Sequence, residues 1–332
     1  MDGARAKHQT VHATSLAEQI NIVPVGDDEF ESASFPQRMG NKTPIAYGGC
    51  ARAVAVHAAC KTVKDGFGLY SVLGYFLGPA MIDRPMRCKV HRTRDTRTFA
   101  TRRVVVSQTW ADGKTRVCVE LFADFQAEEP AVAMTYSPSL LSSYEHPSKI
   151  PTIEEYQQKF VAEGKINQAQ LKQMEPTFAL MRGYFEQRLC MESVSGQNMM
   201  GFAKTLPTTQ DHLAITDKHS AEWLRARIKL ETRAEQFAAL AFNMDGGLSF
   251  LPLVHDHKFF DDAGACSSLD FAMRVFSSDL DLNQWHVKER KTIAAEGGRT
   301  FSEARLFSES GKLVAIETQQ SIMRPLPVKA AL

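Results

Sequence analysis

No run of about 18 apolar residues occurs in this 332-residue chain, so no membrane-spanning helix is expected. An excess of charge is missing too: 39 Lys and Arg against 38 Asp and Glu leave a formal net charge of +1, which gives no reason to expect a nucleic-acid partner. The first residues, MDGARAKHQTVHATSLAEQ, lack the apolar centre of a secretory signal, and the final Ala-Ala-Leu does not match the Ser-Lys-Leu peroxisomal address. A cytoplasmic protein is expected, with a peroxisomal one as the alternative. Cysteines are sparse and dispersed. Cys50, Cys60, Cys88, Cys118, Cys190 and Cys266 form no CxxC pair, which fits reduced thiols better than a disulfide framework or a zinc site. Short catalytic signatures are also missing. Without a GxSxG elbow, a GxxxxGKS or GxxxxGKT loop or an HExxH pair, the chain does not read as an α/β-hydrolase, a P-loop NTPase or a zincin. Gly66-Phe-Gly68 does not follow a strand and open a helix, so it is no dinucleotide loop.

The 44% hydrophobic and 23% charged residues are those of a soluble globular protein, with length for two ordinary domains or one large one. Ala51 to Val63 is polar only at Arg52, His57, Lys61 and Thr62; a helix apolar on nearly all sides is buried. Gly48-Gly49 before it allows another backbone to come close. Four β-like runs follow: Leu69 to Leu77, Met86 to Arg92, Phe99 to Thr109 and Thr115 to Phe125, the last two joined by Asp112-Gly113, a hairpin pair that suits positive φ. Prolines at 130, 138, 147 and 151 mark a connector; Thr152 and Glu155 have capping-box spacing, and helices are expected over Ile153 to Glu163 and Asn167 to Leu189.

The second half repeats the first. Ala234, Phe237, Ala238, Ala241 and Met244 share one helical face, and strands are expected over Ser268 to Phe276, Trp285 to Lys291, Thr300 to Phe307 and Leu313 to Met323. Arg97-Thr-Phe-Ala100 is echoed by Arg299-Thr-Phe-Ser302, and Gly113-Lys114 by Gly311-Lys312. Ordered echoes favour a duplicated α+β fold. The expected layout is a disordered 1–14, an amino-terminal domain over 15–130, a linker with helices over 131–188 and a carboxyl-terminal domain over 189–326.

Three residues are candidates for chemistry. Asp245 ends the second helix at Asp245-Gly246-Gly247, where a carboxylate beside flexible backbone can act as a general base or be a plain turn residue. Ser268, with Asp270, opens a strand, where a hydroxyl can orient a water or a carbonyl or simply cap the turn. Gln319 lies in Ile316 to Arg324; alternation puts Glu317, Gln319, Ser321 and Met323 on one face and Ile316, Thr318, Gln320 and Ile322 on the other. Its amide can donate and accept at once, which suits holding a neutral water. His255 and His257 read as loop residues, because a metal would need a third ligand. Arg92, Arg94, Arg97, Arg102 and Arg103 read as a solvated strand face that can also meet phosphates.

Taken in order, Tyr47-Gly-Gly49, Gly74-Tyr-Phe-Leu-Gly-Pro79, Arg97 to Arg103, Asp124-Phe-Gln126, Leu248-Ser-Phe-Leu-Pro252, Ser268-Leu-Asp270, Trp285, Gly298-Arg299, Gly311 to Ala315 and Gln319 to Arg324 resemble the type II acyl-CoA thioesterase family, over about residues 15 to 325. The resemblance implies a double hotdog, two antiparallel sheets each wrapped around a helix and paired into one. It implies that acyl-CoA, or an acyl group on a carrier protein, is hydrolysed by a water oriented by Asp245, Ser268 and Gln319, with no cofactor and no metal. It places Gly48, Gly49, Cys50, Leu73 and Tyr75 at the substrate, and a homodimer or tetramer is expected by analogy. The chain departs from the family at three points. Gly246-Gly247 separate Asp245 from the Leu-x-Phe-Leu-Pro run, Cys50 stands where the family has Gln, and Leu73 stands where it has His. The last two make the first-half pocket less polar. They leave open a dehydratase, cyclase or other lyase acting on an acyl or polyketide thioester, and a non-catalytic thioester-binding module.

Overall fold

The structure is a computed structural model that describes residues 12–40, 43–129, 131–277 and 279–327. The expectation of disorder over 1–14 and the carboxyl-terminal tripeptide fall largely outside these residues.

Every residue from Gly49 to Ala59 is buried in helix α2 (Gly48–Cys60), as its all-round apolar surface requires. A short helix α1 (Leu16–Ile20) and the hairpin β1 (Ile22–Gly26) and β2 (Glu29–Ser32) precede it; β3 (Phe67–Phe76), β4 (Arg87–Asp95), β5 (Phe99–Thr109) and β6 (Thr115–Ala127) follow. Gly113 takes φ +77° in the β5–β6 turn, the conformation that the Asp-Gly pair favours. Arg102, read as part of a solvated face, is instead buried. It donates to the Thr62 carbonyl at 3.0 Å and so ties β5 to the end of α2.

The connector carries α3 (Ile153–Ala162), with the Thr152–Glu155 capping box in place, and α4 (Gln168–Tyr184). The second helix was expected to run to Leu189. It stops at Tyr184, and β7 (Phe185–Leu189) begins with Phe185, Gln187 and Leu189 buried at a spacing of two. Pairing with β8 (Ser220–Ala226) decides this against helix continuation. The short α5 (Val194–Gln197) lies between β7 and β8. Then come α6 (Arg233–Met244), α7 (Leu251–His255), β9 (Ala265–Val275), β10 (His286–Glu296), β11 (Arg299–Ser308) and β12 (Leu313–Arg324).

Among the described residues, twelve strands form one antiparallel sheet in the order β1-β2-β4-β5-β6-β3-β9-β12-β11-β10-β8-β7. Read outward from the central β3–β9 pair, the two halves have the same connectivity: strand pair, helix, then four strands of which the first pairs with the last. The buried helices α2 and α6 lie side by side beneath the sheet. Tyr47 at the start of α2 donates to the Phe242 carbonyl of α6 at 2.8 Å, and a Cβ on Gly49 would lie 2.6 Å from that same carbonyl. Gly49 is therefore what lets the amino end of α2 approach the carboxyl end of α6.

Candidate active site

That approach puts the start of α2 against Asp245, the residue capping the end of α6. A Cβ on Gly48 would stand 2.9 Å from Asp245 Oδ2 and 2.6 Å from the Phe76 ring. The first N–H groups of α2 have no partner within the helix, and the helix dipole makes this end electropositive.

Asp245 is 6% exposed, and its Oδ1 accepts two hydrogen bonds. One comes from Gln319 Nε2 at 2.9 Å, the other from Arg52 Nη1 at 3.1 Å. Its Oδ2 accepts none among the described residues. Gln319, 1% exposed on β12, keeps Oε1 buried without a partner. Two of the three candidates are thus joined directly although 74 positions apart.

The third arrives through a bulge. On β12, Gln319 and Ser321 are both buried, and they face inward. Gln319 stands opposite Phe271 of β9, and the register shifts between Gln320 and Ser321 so that Ser268 stands opposite Ser321. Directly opposed residues share a sheet face, so the extra residue, Leu269, turns Ser268 inward and places it one row of the pleat beyond Gln319. Ser268 is half-buried and makes no hydrogen bond to Asp245 or Gln319.

The amino-terminal residues divide. Gly48 and Gly49 are at the site. Cys50 is fully buried, its Sγ lies 3.7 Å from the Gln37 carbonyl, and burial pushes its pKa up to about 12. Leu73 and Tyr75 lie on the opposite face of the sheet from Gln319. They are 38% and 61% exposed, on the outer face of β3, where Leu73 stands opposite Phe122 and Ala272. The pleat is the reason: Gly74 and Phe76, one position on from each, face inward and meet Phe271. The change to Leu at position 73 therefore alters the outer face and not the pocket. His255 and His257 also diverge, His255 to Ser220 at 3.0 Å and His257 to Asp211 at 2.7 Å.

The sequence reading missed Arg52 and Glu317. Arg52 is fully buried, with Nη1 2.7 Å from Glu317 Oε1, Nη2 2.5 Å from Oε2, and Cζ 4.0 Å above the Phe271 ring. Glu317 is equally buried, and that burial pushes its carboxyl above the usual range against the pull of Arg52. The signal was present. An arginine in a helix already read as buried demands a buried carboxylate partner, and Glu317 lies on the polar face of β12. The sequence reading also missed the support beneath the Asp245 loop. Buried Lys288 donates to Asn243 O at 3.1 Å and Oδ1 at 2.9 Å and pairs with Glu222 at 3.2 Å; Arg290 Nη1 lies 3.4 Å from the Gly246 carbonyl.

Comparison with known proteins agrees with this architecture. Residues 35–126 match the acyl-CoA thioesterase N-terminal domain and residues 191–323 the acyl-CoA thioesterase C-terminal domain. The chain belongs to the acyl-CoA thioesterase family. It is 25% identical over 283 residues to acyl-CoA thioesterase 2 of Haemophilus influenzae, covering 84% of this chain and 87% of that protein. Among solved structures, the tesB protein of Mycobacterium avium subspecies paratuberculosis superposes with TM-score 0.66 at 18% identity, covering 93% of this chain and 98% of that one. Acyl-CoA thioesterase II TesB2 of Mycobacterium marinum gives TM-score 0.66 at 20% identity, covering 95% and 99%. These likenesses establish the double hotdog. As a member of the family, the acyl-CoA thioesterase described here is a thioester hydrolase, and its substrate is an acyl-CoA.

Proposed function

We propose that this thioesterase cleaves its acyl-CoA with a water held between Asp245, Gln319 and Ser268, and that Asp245 Oδ2 is the base. The water oxygen attacks the thioester carbonyl carbon while Oδ2 takes one of its protons. The unpartnered Oε1 of Gln319 accepts the water's other hydrogen, and the Ser268 hydroxyl orients the water or the incoming carbonyl. Negative charge gathers on the carbonyl oxygen and is met by the N–H groups of Gly48 and Gly49 at the start of α2, the Cys50 N–H already donating to the Tyr47 carbonyl at 3.0 Å. The C–S bond then breaks, and the proton passes from Asp245 to the departing thiolate. The products are a free acid and CoA.

The observation that carries this reading is the Gln319–Asp245 hydrogen bond of 2.9 Å beside the amino end of α2. It gathers a carboxylate, an amide and a source of positive potential in one buried place. The features that left a lyase open do not support one: the Cys50 thiol stays protonated at neutral pH and Leu73 faces outward. The test is free-thiol release from short, medium, long and aromatic acyl-CoAs by wild type and Asp245→Asn. Loss of a general base is expected to slow turnover about a hundredfold to ten-thousandfold. An unchanged rate in the variant would remove Asp245 from the mechanism.

A further inference from the structure

We infer that Arg52 is a positioning residue for this hydrolysis: reaching across from the amino-terminal half, it fixes the orientation of the Asp245 carboxylate so that Oδ2 faces the water. The inference rests on Asp245 being the base.

Arg52 is held from three sides. Glu317 takes Nη1 and Nη2 in a two-point pair at 2.7 and 2.5 Å, and the Phe271 ring lies 4.0 Å beneath Cζ, so the guanidinium plane is fixed before it meets Asp245. The same Nη1 is shared with Asp245 Oδ1 at 3.1 Å, and Gln319 Nε2 reaches that oxygen at 2.9 Å. Two donors from different elements converging on Oδ1 set the carboxylate torsion. Oδ2 is left toward Gly48 and the amino end of α2.

The charge count matters as much as the geometry. A lone Arg–Asp pair would be neutral and a poor base. Here one cation serves two carboxylates, with contacts of 2.7 and 2.5 Å to Glu317 and 3.1 Å to Asp245, so Arg52 is shared and not spent on Asp245 alone. The other groups facing it are Tyr47 and Cys50, whose burial keeps both neutral, the neutral Gln319 amide, and Lys288 and Arg290, which act on its loop through Asn243 and Gly246.

A purely structural role, a stitch between halves, predicts different behaviour from these variants. In the full chain, Arg52→Met with Glu317→Leu removes the two-point pair together and leaves the Asp245 carboxylate held by the Gln319 amide alone. Arg52→Lys keeps a cation but loses the two-point fork. Thiol release is measured against acyl-CoA concentration, alongside urea unfolding. For the double variant, KM within about threefold and kcat lower by about 30- to 100-fold are expected, with a cooperative urea transition showing that the chain still folds. For Arg52→Lys, kcat is expected to fall with little change in KM, and this arm decides the matter if the double variant does not fold. Wild-type kcat in a folded double variant, beside an inactive Asp245→Asn, would overturn the role of Arg52 alone. Full turnover in Asp245→Asn would overturn the base assignment and this inference with it.

Discussion

Gly48 shows how little room a single residue has here. Its missing Cβ leaves space that Asp245 Oδ2 and the Phe76 ring already use, at 2.9 and 2.6 Å from where the carbon would be. Contacts this short cannot be absorbed in place, so Gly48→Ala must displace either the carboxylate or the ring. Gly48 is not in a left-handed conformation, so alanine carries no backbone strain and helix propensity even favours it. The forced displacement is still expected to lower stability by about 1 to 3 kcal/mol, while kcat for thiol release falls about a hundredfold. Calorimetry beside kinetics separates the two, and a variant with normal kcat would show that Oδ2 does not need its place at the α2 amino end. Arg52 makes a similar point. Among the buried alanines and valines of α2 it is recognisable from sequence as a buried charge in need of a partner, but whether that partner is Glu317, Asp245 or both depends on the orientation of another strand.

At the scale of elements, β12 reverses the usual amphipathic strand. Glu317, Gln319 and Ser321 are buried while Ile316, Thr318, Gln320 and Ile322 are half-exposed. Alternation predicted this pairing of residues onto faces, but it did not say that the polar face would be the inner one. The apolar face is accounted for by the connector, where Ile150, Leu140 and Tyr144 cluster with Ile316 on the outer side. On β9 the bulge at Leu269 decides which of two adjacent serines shares the inner face with Gln319. Ser268 stands opposite buried Ser321, and Ser267 opposite Ile322 on the exposed side. Ser268→Ala is expected to lower kcat/KM about tenfold by removing an orienting hydroxyl, and Ser267→Ala to leave it unchanged. The reverse order would mean that the strand runs one residue out of this register in solution.

On the scale of the molecule, the site lies where the halves meet: α2 and Arg52 come from the first, Asp245, Ser268 and Gln319 from the second. The floor beneath it is buried charge, and this gives the protein a pH signature. Burial brings Lys288 down to about 8 from 10.5, even with Glu222 3.2 Å away. Between those values the folded chain has released a proton that the unfolded chain keeps, so this group makes stability rise with pH across that window. In urea titrations the advantage of wild type over Lys288→Met should grow between pH 8 and pH 10; a constant gap would place the Lys288 pKa elsewhere. The sequence by itself determined the α+β class, the duplication, both buried helices and most strands, because these follow from local periodicity and turn chemistry that each segment carries alone. It also proposed Asp245, Ser268 and Gln319 as candidates, through a resemblance, and the structure joins Asp245 to Gln319. It did not show that Leu73 and Tyr75 lie on the outer face, because strand alternation shows which residues share a face but not which face is inner. Only the tertiary structure decided that Gly74 and Phe76 point inward, that the bulge at Leu269 turns Ser268 to the inner face, and that Arg52 reaches Asp245 and Glu317. Those outcomes depend on which strands pair and in what register, and pairing is set by contacts between residues up to 265 positions apart.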